Sequence, residues 1–176
     1  MFFKIDPTQA PYLFAFDLGL SFGWALFNRE TQLTAFGSQH FSQRAQLRAI
    51  IPQILETLPD ESIVCIEGGG ELMGVWERSI VKFNLKLLQH AAEDWRNFCL
   101  LPSERDAGKE IAKKSAKRYA SQCFKATSQP KIPKQLQDDT AEAILYGYWV
   151  MTKIGWMSER KLKALLDGRS FEDDVH

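Results

Sequence analysis

Apolar residues along the chain follow two kinds of spacing, short continuous runs and longer runs spaced for one face of a helix. Continuous runs of about four to eight residues predict buried strands. Apolar residues three and four apart predict amphipathic helices. The predicted strands are 12–16, 22–27, 33–41, 62–66 and 97–101. The predicted helices are 43–58, 76–98, 109–124 and 138–153, with 125–137 as a loop.

The order of these elements, β-β-β-α-β-α-β-α-α, predicts an α/β fold. Three antiparallel strands followed by αβαβ crossovers give a mixed five-stranded sheet with helices on both faces. A chain of 176 residues is long enough for one domain with a sizeable core. We expect this domain to span 1–157 and to be followed by a polar segment, 158–176, that contains a short helix and a frayed end.

Composition indicates the cellular compartment and argues against partners that bind through overall charge. Lys and Arg number 22, as do Asp and Glu, so no overall charge draws the chain to nucleic acid or to a membrane. Its three cysteines lie in apolar runs without Cys-x-x-Cys spacing, which favours buried thiols in a reducing compartment over a disulfide framework or a zinc site. Residues 1–11 lack the apolar core of a signal peptide, and no apolar run has membrane-spanning length. We expect a cytoplasmic protein that does not associate with membranes.

Two acidic residues each end a predicted buried strand. Asp17 follows strand 12–16, and Glu67 follows strand 62–66. Taken alone, Asp17 fits a turn aspartate as well as it fits a metal ligand or a phosphate-facing residue. In a mixed sheet, ligands gather beyond the carboxyl ends of the strands, so the two carboxylates would face one point if their strands are parallel neighbours. A hard divalent cation such as Mg²⁺ or Mn²⁺ would relieve their repulsion.

A second pair of carboxylates opens the predicted helix 138–153. Asp139 and Glu142 are three residues apart and share a helix face. The same spacing fits an N-cap with a capping box, which is the better interpretation of this motif alone. Together with Asp17 and Glu67, a set of metal ligands becomes the better interpretation. The adjacent Asp138 is an alternative to Asp139.

These motifs, in this order, carry a resemblance to a known family. The chain has Asp17-x-Gly19-x-x-x-Gly23-Trp24-Ala25, then Ile66-Glu67 at a strand end, then Asp139-Thr140-Ala141-Glu142-Ala143-Ile144. This pattern resembles RuvC-type Holliday-junction resolvases, which are RNase H-like nucleases, and it spans 14–149. By this resemblance Asp17, Glu67, Asp139 and Glu142 match the four acidic positions of the family. Glu142 stands where an aspartate is more usual.

The chain departs from the family after Glu67. Family members often place Gln and an aromatic residue there, and that aromatic helps to open the junction. Here three glycines, 68–70, follow instead. Leu72, Met73 or Trp76 could take the place of the aromatic, and the glycines could let a nucleic-acid backbone approach closely.

Basic residues cluster in and after the predicted helix 109–124. They are Lys109, Lys113, Lys114, Lys117, Arg118, Lys125, Lys131 and Lys134, with Glu110 as the one acid among them. A solvated helix face is the ordinary explanation of such a run on its own. Beside carboxylates that must approach phosphates, the same residues would offset repulsion and contact the backbone of DNA. We predict DNA contacts for Lys109, Lys113, Lys114, Lys117 and Arg118.

The resemblance implies a metal-dependent endonuclease. Two Mg²⁺ ions, which Mn²⁺ could replace, would be held by the four acids, with Asp17 bridging them. The implied substrate is branched DNA, first of all a Holliday junction, cut by a homodimer whose interface would be helix 76–98. His40 and His90, expected in a strand and in that helix, are not placed as general bases. Two alternatives remain: a sugar or acetate kinase-like ATPase domain, and a non-catalytic nucleic-acid-binding domain of the same fold.

Overall fold

The structure is a computed structural model that describes residues 6–127 and 135–169. A 3₁₀ turn, Pro7–Gln9, precedes the first strand. The strands are β1 (Leu13–Asp17), β2 (Ser21–Phe27), β3 (Leu33–His40), β4 (Ile63–Glu67) and β5 (Lys86–His90). The helices are α1 (Arg44–Leu55), α2 (Met73–Lys82), α3 (Ala92–Cys99), α4 (Pro102–Arg105), α5 (Lys109–Thr127), α6 (Asp138–Lys153) and α7 (Glu159–Leu166).

The five strands form one mixed sheet in the order β3-β2-β1-β4-β5. β1 pairs with β2, and β2 with β3, in antiparallel fashion. β4 lies parallel to both β1 and β5. The predicted mixed five-stranded sheet is therefore confirmed. The parallel register places Asp17 directly beside Glu67 at the carboxyl ends of β1 and β4.

Helices cover both faces of the sheet, as the sequence predicts. Because side chains alternate along a strand, β1 contributes Leu13 and Ala15 to one core layer and Phe14 and Phe16 to the other. The first layer includes α3, α5, α6 and α7, and the second includes α1 and α2. All four of these β1 side chains are fully buried, which explains the continuous apolar run in the sequence. Among the described residues, no helix is long and apolar enough to cross a membrane.

The predicted helix 76–98 is wrong, because the chain forms three elements there. α2 ends at Lys82, β5 follows, and α3 covers 97–99 of the predicted strand 97–101. Asn84 has a φ of 51°, a left-handed conformation that is common just after the end of a helix. The apolar residues after it fit a short strand as well as one helix face. A homodimer interface on a continuous helix 76–98 is therefore excluded.

The chain after α6 also packs on the core. Within segment 158–176, which was expected to be polar with a short helix, α7 buries Leu162 and Leu165 in the layer that contains α6. The bounds of α6 match the predicted helix 138–153. The first three residues of the predicted loop 125–137 are helical, since α5 continues to Thr127. Lys131 and Lys134 of that loop lie outside the described residues.

Candidate active site

A cleft of about 630 Å³ opens where β1 and β4 end and α6 begins. Its lining combines acidic and basic residues: Asp17, Glu67, Glu93, Arg96, Asn97, Arg105, Asp106, Lys109, Ala112, Lys113, Asp139 and Glu142. The four acids singled out in the sequence thus reach one cleft although they come from three elements that are far apart in the chain. Asp138 is not part of the lining.

Asp17 is held at the end of β1 by a backbone contact. Its Oδ1 accepts a hydrogen bond of 2.9 Å from the backbone N–H of Gly23 in β2. Burial and the negative charge of Asp139 together raise the pKa of Asp17 to about 7, although the hydrogen bond from Gly23 lowers it. The carboxyl group is therefore positioned by the backbone but is strained electrostatically when ionised without a positive partner.

Gly23 also sets the position of α6. A Cβ atom on Gly23 would lie 2.0 Å from the carbonyl carbon and oxygen of Asp139, which is far inside van der Waals contact. Only glycine lets β2 and the first turn of α6 approach this closely. The backbone that approaches Gly23 is that of Asp139.

Glu67 is nearly buried and contacts two neighbouring residues of α3. The indole Nε1–H of Trp95 donates to Glu67 Oε2 at 2.7 Å, and Arg96 Nη2 lies 3.8 Å from Glu67 Oε1. Burial raises the pKa of Glu67 to about 7, although Arg96 and the Trp95 hydrogen bond both lower it. Burial therefore outweighs both favourable contacts.

Glu142, one turn into α6, shares the guanidinium of Arg96. Arg96 Nη2 donates to Glu142 Oε1 at 2.7 Å and so lies between Glu142 and Glu67. Sequence reasoning missed both Trp95 and Arg96, because they fell inside the wrongly predicted helix 76–98. The signal that could have found them is the Trp-Arg pair in a short amphipathic segment just after a buried strand.

The two aspartates at the start of α6 point to different partners. Asp138 forms ion pairs with Lys117 and, at 3.6 Å, with Lys113, both on α5. The hydrogen bond from Lys117 holds the pKa of Asp138 below its usual range. Asp139 lines the cleft, with Oδ1 3.6 Å from Lys113 Nζ. The geometry favours Asp139 over Asp138 as the residue that faces the acids.

The capping interpretation of Asp139 and Glu142 is wrong. The N-cap of α6 is Gln137, which makes no side-chain capping bond, so Asp139 already lies inside the helix. Carboxylates in the first turn still interact favourably with the helix dipole. Their side chains are thus free of a capping role and face the cleft.

Basic residues form one wall of the cleft. Lys109 and Lys113 of the predicted set lie there, together with Arg96 and Arg105, which were not predicted. The other three predicted contacts, Lys114, Lys117 and Arg118, do not line the cleft. Lys117 pairs with Asp138, and Arg118 pairs with Glu104 beside the ring of Tyr119.

His90 braces the strand that carries Glu67. It ends β5 rather than lying in a helix, and its Nδ1 is 3.0 Å from the hydroxyl of Tyr146. That hydroxyl donates to the carbonyl of Ile66 at 3.0 Å, so we assign the Nδ1 proton to His90. Burial lowers the pKa of His90. The network fixes the backbone next to Glu67 and places no base in the cleft.

The residues considered as replacements for the junction-opening aromatic are mostly buried. Trp76 packs on Phe16 with ring centroids 4.2 Å apart, and Met73 lies in the same core layer. Leu72 alone of the three is partly exposed. Gly68, with a φ of 88°, begins the turn that leads from Glu67 to this segment.

The donor chemistry of the cleft fits a hard divalent cation. Four carboxylates, of which Asp17 and Glu67 have raised pKa values, are the oxygen ligands that Mg²⁺ prefers. Among residues 6–127 and 135–169, however, no three His, Cys, Asp or Glu side chains are already arranged as a metal site. The position of Arg96 between Glu67 and Glu142 gives a physical reason. The residues fit the ion, and their side chains must move to hold it.

The sheet order, the helices on both faces and the placement of the acids define an RNase H-like fold. The chain is similar to the structure of T. thermophilus RuvC in complex with a Holliday junction substrate, with 10% identity and a TM-score of 0.53 over 84% of this chain and 98% of that chain. At this identity the likeness establishes a shared fold. A simian T-cell lymphotropic virus intasome in complex with PP2A regulatory subunit B56 gamma gives a TM-score of 0.32 at 8% identity, over 83% of this chain and 51% of that chain. No protein-family model and no curated protein matches.

Proposed function

We propose that this protein is a metal-dependent endonuclease that cleaves phosphodiester bonds in branched DNA. The observation that carries the proposal is the convergence of Asp17, Glu67, Asp139 and Glu142 on one cleft in a RuvC-like fold. A wall of arginine and lysine side chains faces these acids, as a phosphate backbone would require. Placing four carboxylates in one cleft is costly for the fold, which favours a functional reason for their placement.

Asp17, Glu67, Asp139 and Glu142 would hold Mg²⁺ or Mn²⁺, with two ions expected. The metal would lower the pKa of the attacking water and would neutralise negative charge on the departing 3′ oxygen. The protein contributes position. The Gly23 backbone N–H orients Asp17, the Trp95 indole orients Glu67, and the burial of α6 fixes the helix that carries the other two acids.

The basic wall would bind and orient the DNA. Lys109 and Lys113 of α5 and Arg105 of α4 lie on the cleft and would contact phosphates next to the cleaved bond. Lys114, Lys117 and Arg118, further along or around α5, would extend these contacts to more distant phosphates. Such contacts fix register and orientation and carry no base preference.

A Holliday junction is the first candidate among branched substrates. The solved RuvC that shares this fold is in complex with a Holliday junction substrate. A four-way junction has two symmetric cleavage points, so we propose that the protein cuts it as a homodimer. Sedimentation with and without the junction tests the dimer independently of cleavage.

Cleavage of a labelled substrate panel tests the proposal. Four-way junctions, Y-forks, nicked duplexes and linear duplexes are incubated with Mn²⁺, with Asp17→Asn as the matched inactive control. We expect paired cuts in the junction by the wild-type chain only. Binding of junctions without cutting would favour the non-catalytic alternative. A thermal shift that requires ATP in addition to the metal would favour the kinase-like alternative.

A further inference from the structure

We propose that Arg96 is a positioning residue that occupies the Glu67–Glu142 half of the acidic cluster and competes with a divalent cation for it. The inference rests on the proposed metal-dependent function. It adds a built-in counter-ion that controls how tightly the free protein binds metal. Neither the motifs in the sequence nor the likeness to RuvC assigns a role to this residue.

The geometry of Arg96 carries the proposal. One nitrogen, Nη2, lies 2.7 Å from Glu142 Oε1 and 3.8 Å from Glu67 Oε1, so a single group contacts both carboxylates. The guanidinium carbon also lies 5.2 Å from the ring of Trp95, which itself holds the second oxygen of Glu67. Charge-assisted hydrogen bonds of this length are among the stronger polar contacts in proteins.

Among the described residues, Asp17 and Asp139 have no positive partner as close as Arg96 is to Glu142. Asp17 accepts its described hydrogen bond from the neutral backbone of Gly23, and Asp139 has Lys113 at 3.6 Å. The four acids are therefore unequal in the metal-free chain. A cation that binds Asp17 and Asp139 meets mainly uncompensated carboxylates, whereas one that binds Glu67 and Glu142 must first displace a guanidinium.

A cation that displaces Arg96 from Glu67 and Glu142 must overcome electrostatic repulsion, and the displaced side chain needs space to move into. A divalent cation shared by Glu67 and Glu142 would lie within a few ångströms of the guanidinium, where like charges repel strongly in a poorly hydrated cleft. The side chain of Arg96 is 34% exposed and belongs to the eight-residue helix α3, so it has solvent to move into. The competition predicts weaker metal binding than the four carboxylates alone would give.

Calorimetric titration with Mn²⁺, without DNA, tests this on the full chain. Arg96→Gln should bind Mn²⁺ at least about fivefold more tightly than the wild-type protein and should show a larger Mn²⁺-induced rise in melting temperature. Arg105→Gln is the matched control, because it removes an equal charge from the same cleft and Arg105 has no ion pair among the described residues. The gain in Mn²⁺ affinity should be smaller for Arg105→Gln than for Arg96→Gln. Equal gains in both variants, or no gain in Arg96→Gln, would overturn the proposal.

A measurement on the unmodified protein covers the case in which Arg96→Gln does not fold. Phenylglyoxal labelling with peptide mapping reports the accessibility of each arginine. Saturating Mn²⁺ should increase the labelling rate of Arg96 relative to that of Arg105. Unchanged or slower labelling of Arg96 would overturn the proposal. If Mn²⁺ binds neither the wild-type protein nor the variants, the metal dependence fails and this inference fails with it, whereas equal binding by all of them removes the inference alone.

Discussion

Gly23 and Asp139 touch backbone to backbone, since a Cβ atom on Gly23 would lie 2.0 Å from the Asp139 carbonyl. Gly23 also donates its N–H to Asp17. One residue without a side chain thus sets the distance between two carboxylates that come from opposite ends of the chain. The placement of the acidic cluster depends on the absence of a methyl group in β2.

Gly23→Ala should therefore damage stability and activity together. Forcing a methyl group into this contact should lower the free energy of unfolding by about 1–3 kcal/mol or more, because backbone atoms of α6 must move away. Gly74→Ala is the control, since its nearest neighbour would be a flexible arginine atom at 3.7 Å. Alanine is the better helix former at that position, in α2. Thermal melts and cleavage rates compare the two. Equal stability of both variants would contradict the tight contact.

Asp17→Asn should abolish cleavage and stabilise the metal-free protein at alkaline pH. The raised pKa of about 7 means that the folded chain keeps a proton that the unfolded chain releases near its ordinary value. The stability linked to this group is full below about pH 4 and is lost as the pH rises through about 7. Asparagine can still accept the Gly23 N–H and removes the charge. Metal-free melts should thus show Asp17→Asn above the wild-type chain at pH 8 and close to it near pH 4.

DNA binding by Asp17→Asn gives a second readout of the same change. Removal of a negative charge near phosphates weakens repulsion, so junction affinity in the absence of metal should be equal or tighter. Cleavage at a near wild-type rate would remove Asp17 from the catalytic assignment. A lower melting temperature of Asp17→Asn at pH 8 would contradict the conclusion that the ionised Asp17 carboxylate destabilises the metal-free protein.

Asp139→Asn and Asp138→Asn should separate two adjacent acids. Asp139 lines the cleft, whereas Asp138 pairs with Lys117 and Lys113. Asp139→Asn should lose cleavage and show a smaller Mg²⁺-induced thermal shift. Asp138→Asn should retain most of its activity and lose a fraction of a kcal/mol of stability, as expected for a partly exposed ion pair. The reverse pattern of activities would assign the metal ligand to Asp138 instead of Asp139.

Neutralising Lys113, Lys114 and Lys117 together should weaken DNA binding and reduce its salt dependence. Each lost phosphate contact lowers the slope of log affinity against log salt by roughly one unit. Neutralising Lys153, Lys161 and Lys163 is the charge-matched control. These three lie at the end of α6 and on α7, and none of them lines the cleft. Equal slopes for the two triple variants would mean that the α5 lysines are only solvated.

Trp95→Phe should destabilise the protein more at pH 8 than at pH 5. The indole N–H donates to Glu67 and lowers its pKa, so its removal raises that pKa further above the unfolded value. The cost therefore appears where Glu67 is ionised and fades as it is protonated. Melts at the two pH values measure the difference. A pH-independent loss would indicate that only packing of the ring has changed.

Prediction from the sequence succeeded for elements in which the apolar residues keep one spacing throughout and a polar residue stands at one end. β1, β4 and α6 meet that condition, and their ends supplied Asp17, Glu67, Asp139 and Glu142. It failed over 76–98, where a helix, a strand and a second helix follow each other within a few residues. Apolar spacing cannot separate a short strand from one face of a helix, so β5 and α3 were missed.

The same failure hid Trp95 and Arg96. Their roles come from tertiary contacts with Glu67 and Glu142, which are 28 and 46 residues away from their respective partners in the chain. No local pattern encodes such a contact. The acids could be predicted because the ends of helices and strands can be recognised in a sequence. The contacts of Trp95 and Arg96 with these acids depend on how α3 packs on the sheet, which the sequence pattern does not show.

The burial of α6 has a consequence for local unfolding. Every residue from 140 to 151 is buried, whereas α3 buries only Trp95 and Cys99. Amide protons of α6 should therefore exchange with solvent only through global unfolding, and those of α3 through smaller local openings. Fluctuations of α3 can release the guanidinium while the carboxylates of α6 stay in place. The slowest-exchanging segment of the chain would then carry the acids, and a faster-exchanging one their counter-ion.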